Sequence, residues 1–324
     1  MAEPDPLFPG EPIAAWLDAQ GIAPGQPIEA TRLAGGLSNA MFRVERGDRR
    51  FVLRRPAKVA IERADDGMRR EFRVLSALAG TGVPHPEAIA LCDDTTVIGC
   101  AFYLMGDVAG IPPVALPADP EVRREATLAV TDALAALHRV EWRDRLDGFG
   151  RPDDFHQRQV GRWTRQYDGY GTDRLPGVRD VGRWLEAHLP TDWSPTIIHA
   201  DYHMMNLLVS DDRPVRVTAI LDWETATIGD PLLDLAGFTE IWCSAFQGDG
   251  WPDRAEIVDR YARRRGLGDV PDLRYYDVLY NFRLAILLEG VYQRSRLDGS
   301  RPDDAMAADR SMANITRALD LVEG

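Results

Sequence analysis

Two stretches decide the reading of this chain. They are His199-Ala200-Asp201-Tyr202-His203-Met204-Met205-Asn206 and Leu221-Asp222-Trp223-Glu224-Thr225-Ala226-Thr227-Ile228-Gly229-Asp230-Pro231-Leu232-Leu233-Asp234-Leu235-Ala236. The first sets an Asp and an Asn five residues apart, and Asp222 follows sixteen residues later, behind the apolar, strand-like run Val215 to Leu221. Moving a phosphoryl group from a nucleotide requires a carboxylate to orient the acceptor hydroxyl and take its proton. It also requires oxygen ligands for the magnesium ions that neutralise the phosphates. Asp201 suits the first task, and Asn206 with Asp222 the second. Each residue alone has an ordinary reading, as a turn cap or a loop end. The three in this order, split by a strand-like run, form a far more specific signal.

Partner pieces lie upstream in a compatible order. Gly35-Gly36-Leu37-Ser38-Asn39 separates two strand-like runs, where glycines let a backbone approach phosphates closely and Ser38 adds a donor. By themselves those five residues fit an ordinary hairpin turn better than a phosphate loop. Phe51-Val52-Leu53-Arg54 ends a strand with a cation, and Glu71, inside a helical pattern at 61–79, is placed to pair with it.

The flanking periodicity gives an α+β chain with two compositions. Residues 11–20 read as a short amphipathic helix, and strands are expected at 28–34, 40–46, 50–55, 88–92 and 97–105. Beyond Gly106, helical patterns recur at 120–139, 155–168, 178–189, 231–245, 253–265, 271–296 and 303–322, with short strands only at about 196–222. The expected organisation is a sheet-rich lobe at 1–104, a hinge at 105–107 and a helical lobe at 108–324.

Among 324 residues, 51 acidic and 38 basic side chains leave a net charge of −13, which argues against nucleic-acid or anionic-membrane partners. Residues 190–236 hold eight acids and two arginines, so they carry −6 of that total around the decisive motifs. No apolar run reaches 18 residues, and the acidic, proline-rich start is unlike a signal peptide. Three scattered cysteines without metal spacing fit a reduced, cytoplasmic setting.

The motifs GGLSN (35–39), FVLR (51–54), REF (70–72), FYLMGD (102–107), HADYHMMN (199–206) and LDWETATIGDPLLDLA (221–236) together resemble the aminoglycoside phosphotransferase and choline kinase group. The resemblance implies a bilobal protein-kinase-like fold, with a small antiparallel-sheet N-lobe and a larger helical C-lobe. It implies ATP, or GTP, as phosphoryl donor with Mg2+. Asp201 would then be the catalytic Asp, and Asn206 and Asp222 the metal ligands. Gly35, Gly36, Ser38, Asn39, Arg54 and Glu71 would hold the phosphates. Met105 and Asp107 would flank the base as a hinge, and His199 and Asp234 would brace the catalytic loop. The departure is Arg54, where this fold usually has Lys. Arg still binds phosphate, but it is bulkier and forked. Lys58 is the one lysine among the 38 basic residues, so the chain favours Arg throughout. FVLRRP (51–56) is similar to the corresponding strand of the kinase-like domain attached to some acyl-CoA dehydrogenases.

For the acceptor, residues 151–189 hold seven arginines with Trp163, Tyr167, Tyr170 and Trp184, and Tyr275, Tyr276, Tyr280, Arg283 and Tyr292 follow on a helical pattern. This favours a neutral or anionic hydroxyl compound, such as a hydroxyacyl-CoA, over a polycationic aminoglycoside. His203, Glu224, Tyr280 and Arg283 are candidate acceptor contacts, in a monomer or homodimer. Three competing readings remain: an aminoglycoside O-phosphotransferase, a nucleotide-binding pseudokinase motivated by Arg54, and a metal-dependent hydrolase. The last would need His199, Asp201 and His203 to share the face of an extended strand. Met204 and Met205 are expected to pack in the interior.

Overall fold

The computed structural model describes residues 5–33, 39–57, 64–297 and 304–324. The chain forms two compact units, and the cut differs from a hinge at 105–107. One unit gathers 1–118, 142–146 and 204–226, and the other 119–141, 147–203 and 227–324. Residues 204–226 join the first unit because backbone pairing holds them there. Ile111 and Val209 exchange N–H···O bonds of 2.9 Å, and Ile220 donates to the Pro84 carbonyl at 3.0 Å.

In the first unit, α1 (Gly10–Ala19) precedes a five-stranded antiparallel sheet of β1 (Ile28–Arg32), β2 (Asn39–Arg46), β3 (Arg49–Pro56), β4 (Ala88–Cys92) and β5 (Phe102–Gly106). Their order across the sheet is β1-β2-β3-β5-β4, with α2 (Ala64–Leu78) between β3 and β4 in the chain. Alternation assigns the faces. Phe42 and Val44 on β2, Phe51 and Leu53 on β3, and Phe102 and Leu104 on β5 bury against Ile13 and Leu17 of α1. The buried Arg46 guanidinium ties α1 to the sheet, donating to the Ala14 and Ala23 carbonyls and pairing with Asp18.

Strand β5 starts at Phe102, five residues later than the apolar run at 97–105 suggests. Asp94 turns the chain first: its carboxylate accepts from the Thr96 amide and hydroxyl, and Gly99 follows with φ 83°. The residual hydrophobicity of 97–101 reflects packing under the turn, since Val97 and Ile98 lie against the same core.

The second unit is mainly helical, with α3 (Pro120–Leu137), α4 (Phe155–Asp168), α5 (Val178–Ala187) and the short strand β6 (Thr196–Ile198). The hairpin strands β7 (Leu207–Val209) and β8 (Val217–Ile220) belong to the first unit. Strand β9 (Thr227–Gly229) pairs with β6, and α6 (Pro231–Ala245), α7 (Arg254–Arg265), α8 (Arg274–Leu297) and α9 (Ala305–Glu323) complete the chain. Helix α6 starts at an Asp-Pro step: the Asp230 carboxylate accepts from the Leu232 amide at 3.0 Å and Pro231 takes the first helical position. Among the described residues, no helix is long and apolar enough to cross a membrane.

Candidate active site

The face of the first unit's sheet opposite its core builds a cavity of about 600 Å³. The same alternation that buries Phe51 and Leu53 turns Val52 and Arg54 into it, beside Met41 and Arg43 of β2 and Tyr103 and Met105 of β5. Asn39, Gly106, Asp107, Met205, Asn206, Asp222 and Glu224 also line it.

Arg54 is the electrostatic centre of this cavity. Its Nη2 lies 2.8 Å from Glu71 Oε1 on α2 and 2.6 Å from Asp222 Oδ1, with Glu224 Oε2 at 3.7 Å. Tyr103 donates its hydroxyl to Glu71 Oε2 at 2.6 Å, and Asn39 Nδ2 donates to Glu224 Oε2 at 3.1 Å. Burial pushes the Glu71 carboxyl up to about 7, against the pull of Arg54. Burial also opposes the Arg54 charge, but Glu71, Tyr103 and Asp222 outweigh it and raise its pKa. Burial, then the Glu71 charge, holds the Tyr103 hydroxyl far above the usual phenol range, so it stays a donor.

Asp222 occupies the left-handed region, φ 63° and ψ 67°, which is uncommon for a residue with a side chain and best tolerated by Asp and Asn. Trp223 secures this bend by donating Nε1 to the Ile220 carbonyl at 2.9 Å. Leu221 donates to the Asn206 carbonyl at 2.8 Å, which brings the backbones at Asn206 and Asp222 to the same wall. One oxygen each from Glu71, Asp222 and Glu224 lies within 4.8 Å of the others, a hard-donor set for a divalent cation. The sequence reading assigned Glu224 to the acceptor; here it stands with Arg54 and Asn39.

The other nucleotide-side candidates are placed as follows. Asp107 accepts from Arg43 Nε at 2.9 Å and pairs with Arg50 Nε at 2.8 Å, so its carboxylate staples β2, β3 and the end of β5 together. The Gly106 amide is spent on the Glu87 carbonyl at 2.9 Å. Gly35, Gly36 and Ser38 lie outside the described residues, as does Lys58. Met204 is buried, but Met205 is 62% exposed and lines the cavity, contrary to the expected interior packing. A short 3-10 turn at Met204–Asn206 sends the two side chains in different directions.

The second unit holds Asp201 on a loop braced from α6. Asp234 Oδ2 accepts from the His199 amide at 2.6 Å and Oδ1 from the Ala200 amide at 2.8 Å. His138 adds Nε2 at 3.3 Å to Asp234 and sets Nδ1 2.7 Å from the Tyr261 hydroxyl. Burial lowers the His138 pKa, which favours the neutral ring. Ala200 has φ 63°, so the brace holds a backbone conformation that costs free energy without it. Asp201 is exposed, with His203 Nε2 at 3.4 Å from its Oδ1. Asp201, His203, Tyr280 and Arg283 line one small cleft. Tyr280 reaches it because α6 has Gly237 there: a Cβ would lie 2.6 Å from the Tyr280 ring. Burial raises the Tyr280 hydroxyl above its ordinary range, and the nearby Asp201 charge adds to this.

The hydrolase constellation does not form. Residues 199–203 are not a strand, and His199 is fully buried while Asp201 is exposed. Among the described residues, the metal-ligating side chains that gather are Glu71, Asp222 and Glu224.

Two features escaped the sequence reading. Tyr103 sits in a run buried on both faces, where no alternation marks the partner of Glu71. Asp230 Oδ2 lies 2.9 Å from His156 Nε2 and accepts from the Tyr276 hydroxyl at 2.8 Å, a buried group whose one sequence signal was the Asp-Pro helix start.

The model of the phosphotransferase enzyme family matches residues 29–278. Human acyl-CoA dehydrogenase family member 11 is 31% identical over 98% of this chain and 43% of its own length. The chain thus spans less than half of the curated relatives it matches. A crystal structure from Ralstonia eutropha, provisionally named an aminoglycoside phosphotransferase, is 30% identical with a TM-score of 0.85, covering 97% of this chain and 98% of that one. The GDP complex of aminoglycoside 2'-phosphotransferase-IIIa shares the fold at a TM-score of 0.63 and 16% identity, over 96% of both chains. The small antiparallel sheet, the helical region and these likenesses define a protein-kinase-like α+β fold, and the chain belongs to the phosphotransferase enzyme family.

Proposed function

We propose that the protein moves the γ-phosphoryl group of ATP, or GTP, to a hydroxyl of a small molecule. The observation that carries this reading is the buried Arg54–Glu71 pair on the wall of a cavity of about 600 Å³ that Asn206 and Asp222 also line. The GDP bound by the structural neighbour supports a nucleotide in that cavity. Its apolar walls, Val52, Met105, Leu208 and Leu221, suit a purine base, with the backbone from Met105 to Asp107 alongside.

Arg54 presents a cation to the phosphates, and Glu71 with Tyr103 fixes its position. Asn206 and Asp222 would hold Mg2+, with Glu224 beside them, and their oxygen donors suit it. When bound, Mg2+ neutralises phosphate oxygens and so lowers the barrier to attack by an oxygen nucleophile. Asp201 orients the acceptor hydroxyl and receives its proton on the carboxylate as the oxygen attacks phosphorus in line. Asp234 and His199 keep the backbone of that loop in place. The pseudokinase reading loses its motive, since Arg54 makes the ion pair with the helix Glu that Lys makes in this fold.

The acceptor is a neutral or anionic alcohol. Residues 151–189 are rich in arginine and aromatic rings, and the −13 charge argues against nucleic acid or a membrane as partner. A cytoplasmic monomer or homodimer completes the proposal. The test is a phosphate-transfer screen with MgATP and MgGTP against sugars, aminoglycosides, choline-like alcohols and hydroxyacyl-CoA esters. Transfer that Asp201→Ala reduces by about 100-fold or more supports the reading. Efficient turnover of kanamycin would sink the acceptor class; nucleotide binding without transfer to any hydroxyl would sink the activity.

A further inference from the structure

Arg283, on α8, is 9% exposed, yet it has few partners for a guanidinium with five N–H donors. Nη2 meets the Ala200 carbonyl at a long 3.3 Å, and the group stands over the Trp163 ring, 5.4 Å from its centroid. Its Nε is buried and lacks an acceptor, and among the described residues it makes no ion pair with a carboxylate. Two of the other buried arginines hold carboxylates, Arg46 with Asp18 and Arg54 with Glu71 and Asp222, whereas Arg55 donates to the Leu7 and Pro56 carbonyls. A buried cation with no carboxylate in hydrogen-bond reach is costly: burial lowers the Arg283 pKa, and the Tyr280, Asp234 and Asp201 charges offset it only in part.

The surroundings of Arg283 form a small cleft. Asp201, His203 and Tyr280 line it too, and it has room of about 10 Å³, enough for a single oxygen-sized group. Asp234, the other carboxylate of this cleft, is already engaged by the His199 and Ala200 amides and by His138. We infer that Arg283 binds an anionic oxygen of the acceptor, a carboxylate or a phosphate held a few bonds from the hydroxyl that Asp201 orients. The inference rests on the phosphotransfer reading and narrows its acceptor to a hydroxy acid or a hydroxy phosphate. The Trp163 ring, its centroid 5.4 Å away, adds a cation–π contact that restrains the guanidinium.

The experiment compares matched probes on the full chain: 3- and 4-hydroxybutyrate against their primary amides, and glycerol 3-phosphate against glycerol. Binding is read by calorimetry without nucleotide, and transfer as kcat/KM with MgATP. The expected result is a preference of about 30-fold for at least one charged probe over its neutral partner, as a charge-assisted hydrogen bond provides. Arg283→Met should reduce that preference below about 3-fold, while Arg283→Lys keeps part of it. The carboxylate and phosphate arms tell the two sources apart. A wild-type protein indifferent to probe charge overturns the inference even if Arg283→Met fails to fold. So does an Arg283→Met protein that loses kcat equally on charged and neutral probes, the mark of a purely structural bond to Ala200. Transfer to neutral alcohols alone leaves the phosphotransfer reading intact and removes this one. Arg283-dependent binding of a charged probe without any transfer does the reverse.

Discussion

Replacing Arg54 with Met removes the cation paired with Glu71, whose side chain is 1% exposed. With Arg54 present, the folded protein releases the Glu71 proton near pH 7. Without it, burial and the Asp222 and Glu224 charges act unopposed, so folded Glu71 keeps its proton through pH 8 and beyond. The sign follows from proton counting. Above pH 7 the variant binds one proton more than wild type when folded, and both release it when unfolded. The variant's stability therefore falls faster with pH, by about 1.4 kcal/mol per unit above pH 7, and runs parallel to wild type below about pH 6. Beneath that slope lies a constant loss of about 1–3 kcal/mol for the hydrogen bonds that Arg54 gave Glu71 and Asp222. Urea denaturation of both proteins at half-unit steps from pH 5.5 to 8.5 measures the difference directly. A second variant, Arg54→Met with Glu71→Leu, removes the titrating group and should restore the parallel course. Curves that stay parallel above pH 7 in the single variant would refute the assignment of Glu71 as the group Arg54 holds ionised.

Three further outcomes are expected. Asp234→Asn loses the charge shared by the His199 and Ala200 amides and His138, and should cost about 2–4 kcal/mol in denaturant while the exchange of those two amides speeds up sharply. Asp277, which pairs with Arg254, is pushed up to about 6 by burial. Its stabilisation is complete below about pH 4 and declines by about 3 kcal/mol as pH rises through 6, and Asp277→Asn should flatten stability over that interval. Gly237→Ala inverts the usual helix rule: propensity favours Ala by about 1 kcal/mol, but the new methyl meets the Tyr280 ring at 2.6 Å. A net loss of about 1–3 kcal/mol in a thermal melt is expected, and a stabilised variant would contradict the packing.

Much of the fold was legible because its elements are strongly periodic and well punctuated. The helix expected at 155–168 is α4 to the residue, and 231–245 is α6, announced by Asp230-Pro231. Of the site expectations, the Asp234 brace on the loop at His199–Ala200 forms, and Asn206 and Asp222 line one cavity, because these residues lie in locally punctuated motifs. The site was opaque where partners come from distant elements. The Arg54–Glu71 pair was expected, but Asp222 lies 168 residues from Arg54, and residue type alone does not say that it meets the same nitrogen. The partners of Glu224, Asn39 and Arg54, were hidden for the same reason: one residue separates it from Asp222, and only the left-handed bend at Asp222 decides which wall it joins. Strand β5 was begun too early because hydrophobicity does not distinguish a strand from a turn packed beneath a sheet. Met205 was expected inside, since two adjacent methionines look alike until a 3-10 turn separates them.

The brace at Asp234 also bears on how the chain is made. The amides of His199 and Ala200 leave the ribosome 35 and 34 residues before the carboxylate that accepts them. At about 5–20 residues per second, the loop bearing Asp201 waits roughly 2–7 s for its anchor during synthesis. Until then the left-handed turn at Ala200 has nothing to hold it. A nascent chain stalled before Asp234 therefore carries the turn at His199–Ala200 without its anchor, and the loop bearing Asp201 takes shape only after the first turn of α6 has emerged.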